Sequence, residues 1–191
     1  SSLLDGYNID WRKQYKGRSK LVLKPRSTEQ VSRILQYCAQ HYLPVVPQGG
    51  KTGLVGGSVP VQDEVILSLE RMNQIYHVDS VSGIVYCQAG CILQDLQETA
   101  AASGSSSTGG AAGLLLPIDL GAKGTCQIGG NLATNAGGQY YYRHGSLAAN
   151  VVGLQVVLPN AQGQIMNLNF SCNDPNNPSA FHSNLKDNTG Y

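Results

Sequence analysis

The sequence predicts an α+β fold in two lobes, not a doubly wound nucleotide-binding sheet. Two observations carry this prediction. Strand-like runs follow one another in pairs, as in "IYHVD" and "GIVYCQAG", without intervening helices. Glycines gather where apolar runs end: five lie between Gly49 and Gly57, and seven between Gly121 and Gly145. With 23 glycines in 191 residues the chain exceeds the usual ~7%. The excess is concentrated in loops that could approach a ligand closely.

The elements follow in order. "SKLVLKPRS" reads as a strand at Leu21 to Leu23, closed by Pro25. Ser27 with Gln30 three residues later is a capping box, and Val31, Ile34, Leu35, Cys38 and Tyr42 fall on one helical face. "LPVVPQGG" is a short strand entering the first glycine cluster, and "EVILSL" is the next strand. "IYHVD" and "GIVYCQAG" form a pair across the turn "SVSG". A lobe boundary is placed near Asp79, giving lobes 1–79 and 80–191. "CILQDLQETAAA" reads as a helix with Ile92, Leu93 and Leu96 inward. The uncharged "SGSSSTGGAAG", about residues 102–113, reads as a low-complexity surface insertion, with a strand starting at Leu114. Val151 to Leu158 is a strand, Asn160 to Gly163 a turn, and a return strand follows. The polar, proline-broken "NFSCNDPNNPSAFHSN" reads as a loop.

Composition narrows the function. Net charge is +1 and 13% of residues are charged, with no basic stripe interleaved with aromatics, so nucleic acid is not an expected partner. No apolar run approaches the ~18 residues of a membrane span. The cysteines, Cys38, Cys87, Cys91, Cys126 and Cys172, are odd in number and read as reduced thiols. Cys87 and Cys91 lack the spacing of a C-x-x-C site, and His41, His77, His144 and His182 lack metal-ligand spacing, so no metal site is expected.

The segment "VVPQGGKTGLVGGSVP" contains the Gly-Gly-Lys-Thr that ends a Walker loop. The match fails: Val45 stands where the first glycine belongs, and Pro47 lacks an N–H where the backbone should wrap phosphate. The Rossmann pattern fails as well. An anion-binding nest of glycine-rich backbone remains, with Lys51 as a possible charge and Thr52 and Ser58 as hydroxyl donors. A second glycine-dense segment about seventy residues on suggests that two loops grip one diphosphate.

These two segments carry a resemblance. "PQGGKTGLVGGSVP" resembles the first flavin-diphosphate loop of the vanillyl-alcohol-oxidase, or PCMH-type, FAD-binding family, and "PIDLGAKGTCQIGGNLATNAGG" resembles that family's second flavin segment. "RMNQI" and "SGIVYCQAGCILQDL" fit the spacing between them. The resemblance implies that Pro47, Gln48, Gly49, Gly50, Lys51, Thr52, Gly53, Leu54 and Val55 wrap the diphosphate, with Gly57 and Ser58 closing the turn. It implies that Pro117, Leu120, Gly121, Thr125, Gly129, Gly130, Asn131, Ala133, Thr134, Asn135 and Gly138 line the flavin, with Gly145 and Val152 toward the adenosine. Lys51 stands where relatives with covalent flavin often carry histidine, so non-covalent FAD is implied.

The resemblance further implies oxidation of a D-2-hydroxy acid, D-2-hydroxyglutarate first, with D-lactate or glycolate as alternatives. An electron-transfer flavoprotein as acceptor and the mitochondrial matrix as location come with it. The family pattern continues past "DNTGY", so the chain is expected to be an incomplete domain with its catalytic, metal-binding and substrate residues after Tyr191. An inactive fragment is one competing expectation. A magnesium-dependent P-loop phosphotransferase is the other.

Overall fold

The computed structural model describes residues 4–103 and 113–169. The chain is mixed α and β, as expected. Its first sheet is built from β1 (Val22–Leu23), β2 (Val45–Gln48) and β3 (Val65–Ser68), all parallel, in the order β1-β3-β2. β3 is central, and Ile66, Leu67 and Ser68 are all buried, as expected for a parallel strand covered on both faces. Between β1 and β2 runs helix α1 (Thr28–Gln40).

The start of α1 is set by Ser27, whose side chain accepts a 3.3 Å bond from the Gln30 N–H. The reciprocal half of the capping box lands one residue early: Gln30 Oε1 accepts from the Arg26 N–H at 2.7 Å. Ser27→Ala is therefore expected to cost about 1 kcal/mol, a fall in Tm of about 2–4 °C, checked by thermal unfolding. Val31 and Cys38 of α1 are buried, as the periodicity predicts. Tyr42 is not: it is 93% exposed with φ 55°, because the helix has already ended at Gln40 and the chain turns toward Pro44.

β4 (Ile75–Asp79) and β5 (Ile84–Cys87) form an antiparallel hairpin. Its turn is closed by Asp79, whose carboxylate accepts from the Val81 and Ser82 N–H groups and the Ser82 hydroxyl. The hairpin thus pairs residues on both sides of position 79. Helix α2 (Leu93–Ser103) buries Leu93, Leu96 and Ala100, while Ile92 is half-buried and bridges to Gln127.

Most of the small-residue stretch after α2 falls outside the described residues. Its far side returns to α2: the Leu114 N–H donates to the Ala100 carbonyl at 3.1 Å. Leu114 does not begin a strand. The run to Ile118 is irregular backbone, followed by an isolated bridge between Asp119 and Gly138.

Short helices α3 (Ile128–Ala133) and α4 (Tyr141–His144) and a 3-10 turn at Ala148–Asn150 follow. The chain closes with the antiparallel pair β6 (Gly153–Val157) and β7 (Ile165–Asn169), as the sequence predicts. The polar loop expected around Cys172 lies outside the described residues, as do His182 and Asp187.

Two apolar clusters hold these elements. One joins Val31, Leu67 and Met72 to Leu23, Ile34, Leu35, Val45, Leu69 and Val157. The other joins Leu93, Ile118, Cys126 and Leu147. Val157 belongs to β6, so the last hairpin packs on the first cluster. Polar ties reinforce this: Thr28 Oγ1 donates to Gln155 Oε1 at 2.6 Å, Gln40 Nε2 to the Ala161 carbonyl at 3.1 Å, and the Ser32 hydroxyl to the Gly163 carbonyl.

Candidate functional site: two glycine segments in contact

The first glycine segment leaves the carboxyl end of β2, where open α/β sheets place their ligands. Gln48, the last strand residue, is buried and staples the loop shut. Its Nε2 donates to the Ser58 carbonyl at 2.7 Å and to the Tyr7 carbonyl at 2.9 Å. Inside this staple, no backbone N–H from Gly50 to Ser58 donates to a backbone carbonyl of the described residues. An array of uncommitted donors on a glycine-rich turn is what an anion-binding nest requires.

The second segment meets the first at Gly50. A Cβ on Gly50 would overlap the Thr125 carbonyl oxygen and lie 2.9 Å from its carbon and 3.0 Å from the Cys126 Cα. The neighbouring Gly49 faces Gln127. Two segments distant in sequence are thus in backbone contact, and only a residue without a side chain permits it. α3 is seated in turn on the loop after β5: the Gly129 N–H donates to the Ala89 carbonyl and the Ile128 N–H to the Cys91 carbonyl.

Around this junction the surface is open. A Cβ at Gly53, Gly57, Gly121 or Gly130 would meet nothing within 4 Å. Leu54 and Val55 are 51% and 83% exposed, so two apolar side chains stand beside the open glycines. Thr52 and Ser58 are half-buried and Pro47 is exposed. On the second segment Thr125, Ala133, Thr134, Asn135 and Gly138 are exposed, while Pro117 and Leu120 are half-buried, Leu120 against the second cluster.

Three buried oxygens lack a hydrogen-bond partner among the described residues: Gln48 Oε1, Gln127 Oε1 and Asn131 Oδ1. Buried acceptors are normally satisfied, so these are ready to receive donors from a ligand. Free N–H groups for a diphosphate, open space beside glycines, exposed apolar side chains and orphan acceptors together suit a dinucleotide such as FAD.

Some of the expected residues have partners within the protein. Lys51 does not project into the loop mouth. Its ammonium donates to the Gly6 carbonyl and lies 5.3 Å from the Tyr7 ring centroid, with its backbone at φ 56°. Partial burial lowers its pKa from the ordinary lysine value, with Glu70 opposing. Asn135, also at positive φ, accepts from the Ala148 N–H at 3.0 Å. Gly145 caps α4 and Val152 precedes β6; between them the Ala148 N–H ties this stretch to Asn135, just past α3. Cys126 is buried, and burial raises its thiol pKa, which suits packing and not nucleophilic attack. Cys91, buried as well, donates to the Gln74 carbonyl.

The sequence reading missed Gln127 and everything before Leu21. Gln127 is the residue preceding α3 and carries one of the orphan oxygens. Before Leu21, Tyr7 joins a charged knot behind the loop. Tyr7 OH donates to Glu70 Oε2 at 3.1 Å, Lys24 Nζ pairs with Glu70 Oε1 at 2.6 Å, and the Ser68 hydroxyl donates to Glu70 at 3.3 Å. Partial burial would raise the Glu70 carboxyl, but the hydrogen bonds from Lys24 and Tyr7 outweigh it and hold the group below 4.5. A depressed carboxyl stabilises the fold above its unfolded pKa and loses that contribution as pH falls through the folded one. Wild type is thus expected to lose stability on acidification below about pH 4.5. Glu70→Gln should flatten that part of the profile, measured by chemical unfolding across pH.

Comparison with known proteins agrees with the geometry. The chain is 50% identical over 184 residues to a probable mitochondrial D-2-hydroxyglutarate dehydrogenase of Oryza sativa subsp. indica, covering 96% of this chain and 29% of that protein. It is 50% identical over 156 residues to a putative mitochondrial D-lactate dehydrogenase of Schizosaccharomyces pombe, covering 82% of this chain and 28% of that one. Among solved structures, an alkyldihydroxyacetonephosphate synthase superposes with a TM-score of 0.68 at 25% identity, over 85% of this chain and 30% of the other. The chain thus spans less than a third of the length of the relatives it matches. Residues 19–169, which include both glycine segments, match the family described as "FAD binding domain", and the chain belongs to that family.

Proposed function

We propose that this chain is the FAD-binding portion of a flavin-dependent D-2-hydroxy-acid dehydrogenase that oxidises D-2-hydroxyglutarate to 2-oxoglutarate. The observation that supports FAD binding most directly is the contact of Gly50 with Thr125, which turns two separate glycine segments into one cradle. The residues proposed to hold the cofactor are Gly49 to Val55 with Gly57 and Ser58 on the diphosphate side, and Thr125, Gly129 to Asn131 and Ala133 to Asn135 on the flavin side. Gln48 and Lys51 serve the same site by fixing the loop. FAD supplies the hydride acceptor; this chain supplies its binding and orientation. The substrate assignment is supported by the names of the relatives. A D-lactate dehydrogenase is the second reading, favoured by the relative from Schizosaccharomyces pombe.

The flavin is held without a covalent bond, since Lys51 occupies the position in question and its ammonium is committed to Gly6 and Tyr7. An electron-transfer flavoprotein as acceptor, a location in the mitochondrial matrix, and two lobes meeting near Asp79 complete the proposal. The test is reconstitution. The purified chain incubated with FAD and desalted should be yellow with about one flavin per chain, and acid precipitation should release all flavin to the supernatant. A folded chain that stays colourless rejects FAD binding, and flavin remaining in the acid pellet rejects the non-covalent assignment.

A further inference from the structure

Residues 4–18 lie before the matched family span, yet they form the back wall of the diphosphate loop. They are an ordered arm. Ile9 and Lys16 pair in an antiparallel bridge. Buried Asn8 accepts from the Ser19 N–H at 2.7 Å and donates to the Ser19 carbonyl at 3.0 Å and the Leu4 carbonyl at 3.1 Å. Buried Asp10 accepts from the Tyr15 N–H at 2.7 Å and the Arg12 N–H at 3.1 Å. Burying two such side chains is costly unless they are satisfied, and here every oxygen of theirs has a partner.

The arm meets the loop at its beginning, near its tip and at its end. At the beginning, the Gly6 carbonyl receives Lys51 and the Tyr7 carbonyl receives Gln48. Near the tip, the Tyr15 ring lies against Gly56, where a Cβ would come within 2.8 Å of the ring and the backbone stands at φ 74°. At the end, the Arg18 N–H donates to the Pro60 carbonyl at 3.1 Å, and Gly17 is packed against Pro60 so closely that a Cβ would lie 2.7 Å from its ring. Free N–H groups bind an anion only if the loop keeps them aimed. Holding them so in advance removes an ordering cost from binding.

We propose that residues 4–19 are a positioning arm for the cofactor, clamping residues 49–60 in the conformation that receives the diphosphate. The cofactor part of this rests on the FAD reading above; the clamp itself does not. Tyr15 and Asn8 are the residues that carry it, and both act through the loop.

The test compares wild type, Tyr15→Ala, Tyr15→Phe and Asn8→Ala by backbone hydrogen exchange without FAD, and by FAD titration. Tyr15→Ala and Asn8→Ala should speed exchange of the buried Val59 amide, which donates to the Gly56 carbonyl inside the loop, by about tenfold or more, leave hairpin 75–87 unchanged, and raise the Kd for FAD by a comparable factor. Tyr15→Phe, which keeps the ring, should behave as wild type in both. Unchanged exchange at Val59 in both alanine variants overturns the clamp. Faster exchange with unaltered FAD affinity overturns the positioning role. Should Asn8→Ala unfold, the Tyr15 pair still decides. Absence of FAD binding to wild type removes the cofactor role, while exchange at Val59 continues to report on the clamp.

Discussion

Gly50→Ala is expected to destabilise the chain by about 1–3 kcal/mol and to weaken FAD binding by about 10- to 100-fold. The reason is local and severe. The added methyl would meet backbone, the Thr125 carbonyl, and backbone cannot swing aside as a flexible side chain can. Relief requires the first loop to move off the second segment, which opens the cradle. Gly53→Ala is the matched control. A Cβ there meets nothing within 4 Å and the residue is exposed, so the FAD-free stability should change by less than about 0.5 kcal/mol. Chemical unfolding and flavin fluorescence titration of both variants check the pair of outcomes. Equal stability of the two would show that the close approach at Gly50 is not a constraint on the fold.

The second large effect is expected at Leu93. It is fully buried at the start of α2, in the cluster with Ile118, Cys126 and Leu147. Leu93→Ala removes buried methyl groups and leaves a cavity, at a cost of about 2–5 kcal/mol and a fall in Tm of about 5–15 °C. Because Cys126 belongs both to this cluster and to the junction at Gly50, the damage should reach the site. FAD affinity should fall more than for an equally buried residue of the first cluster, such as Leu67→Ala. Calorimetry with FAD titration measures both. Equal losses of affinity in the two variants would show that the second cluster has no special coupling to the cradle.

What was legible in the sequence follows from periodicity and glycine. The capped helix at Thr28–Gln40 announces itself by Ser27 and by apolar spacing, and the hairpins at Ile75–Cys87 and Gly153–Asn169 by paired strand runs around turn residues. The glycine segments identify both the cofactor class and the two stretches that meet. Periodicity failed where it was extrapolated: Tyr42 fits the α1 stripe by number, yet the helix has ended and the residue turns to solvent. Apolar composition failed at Leu114–Ile118, where Ile118 reaches the core from irregular backbone and Leu115 is 58% exposed.

The partner that Lys51 finds was hidden for a different reason. A lysine next to a phosphate loop suggests an anion ligand, but the tertiary partner, the Gly6 carbonyl, lies 45 residues away in a segment with no repeating pattern. That segment was invisible for the same cause. Its order comes from Asn8 and Asp10 bonding to backbone across a turn, a kind of organisation without period.

In the proposed reading, residues 50–58 and 125–135 form one FAD cradle. Hydrogen exchange of the chain with and without FAD tests it most directly. FAD is expected to slow exchange at amides 50–58 and in 128–135 together, and to leave the β4–β5 turn at 80–83 unaffected. Protection of only one of the two segments, or protection elsewhere while both stay open, would contradict it.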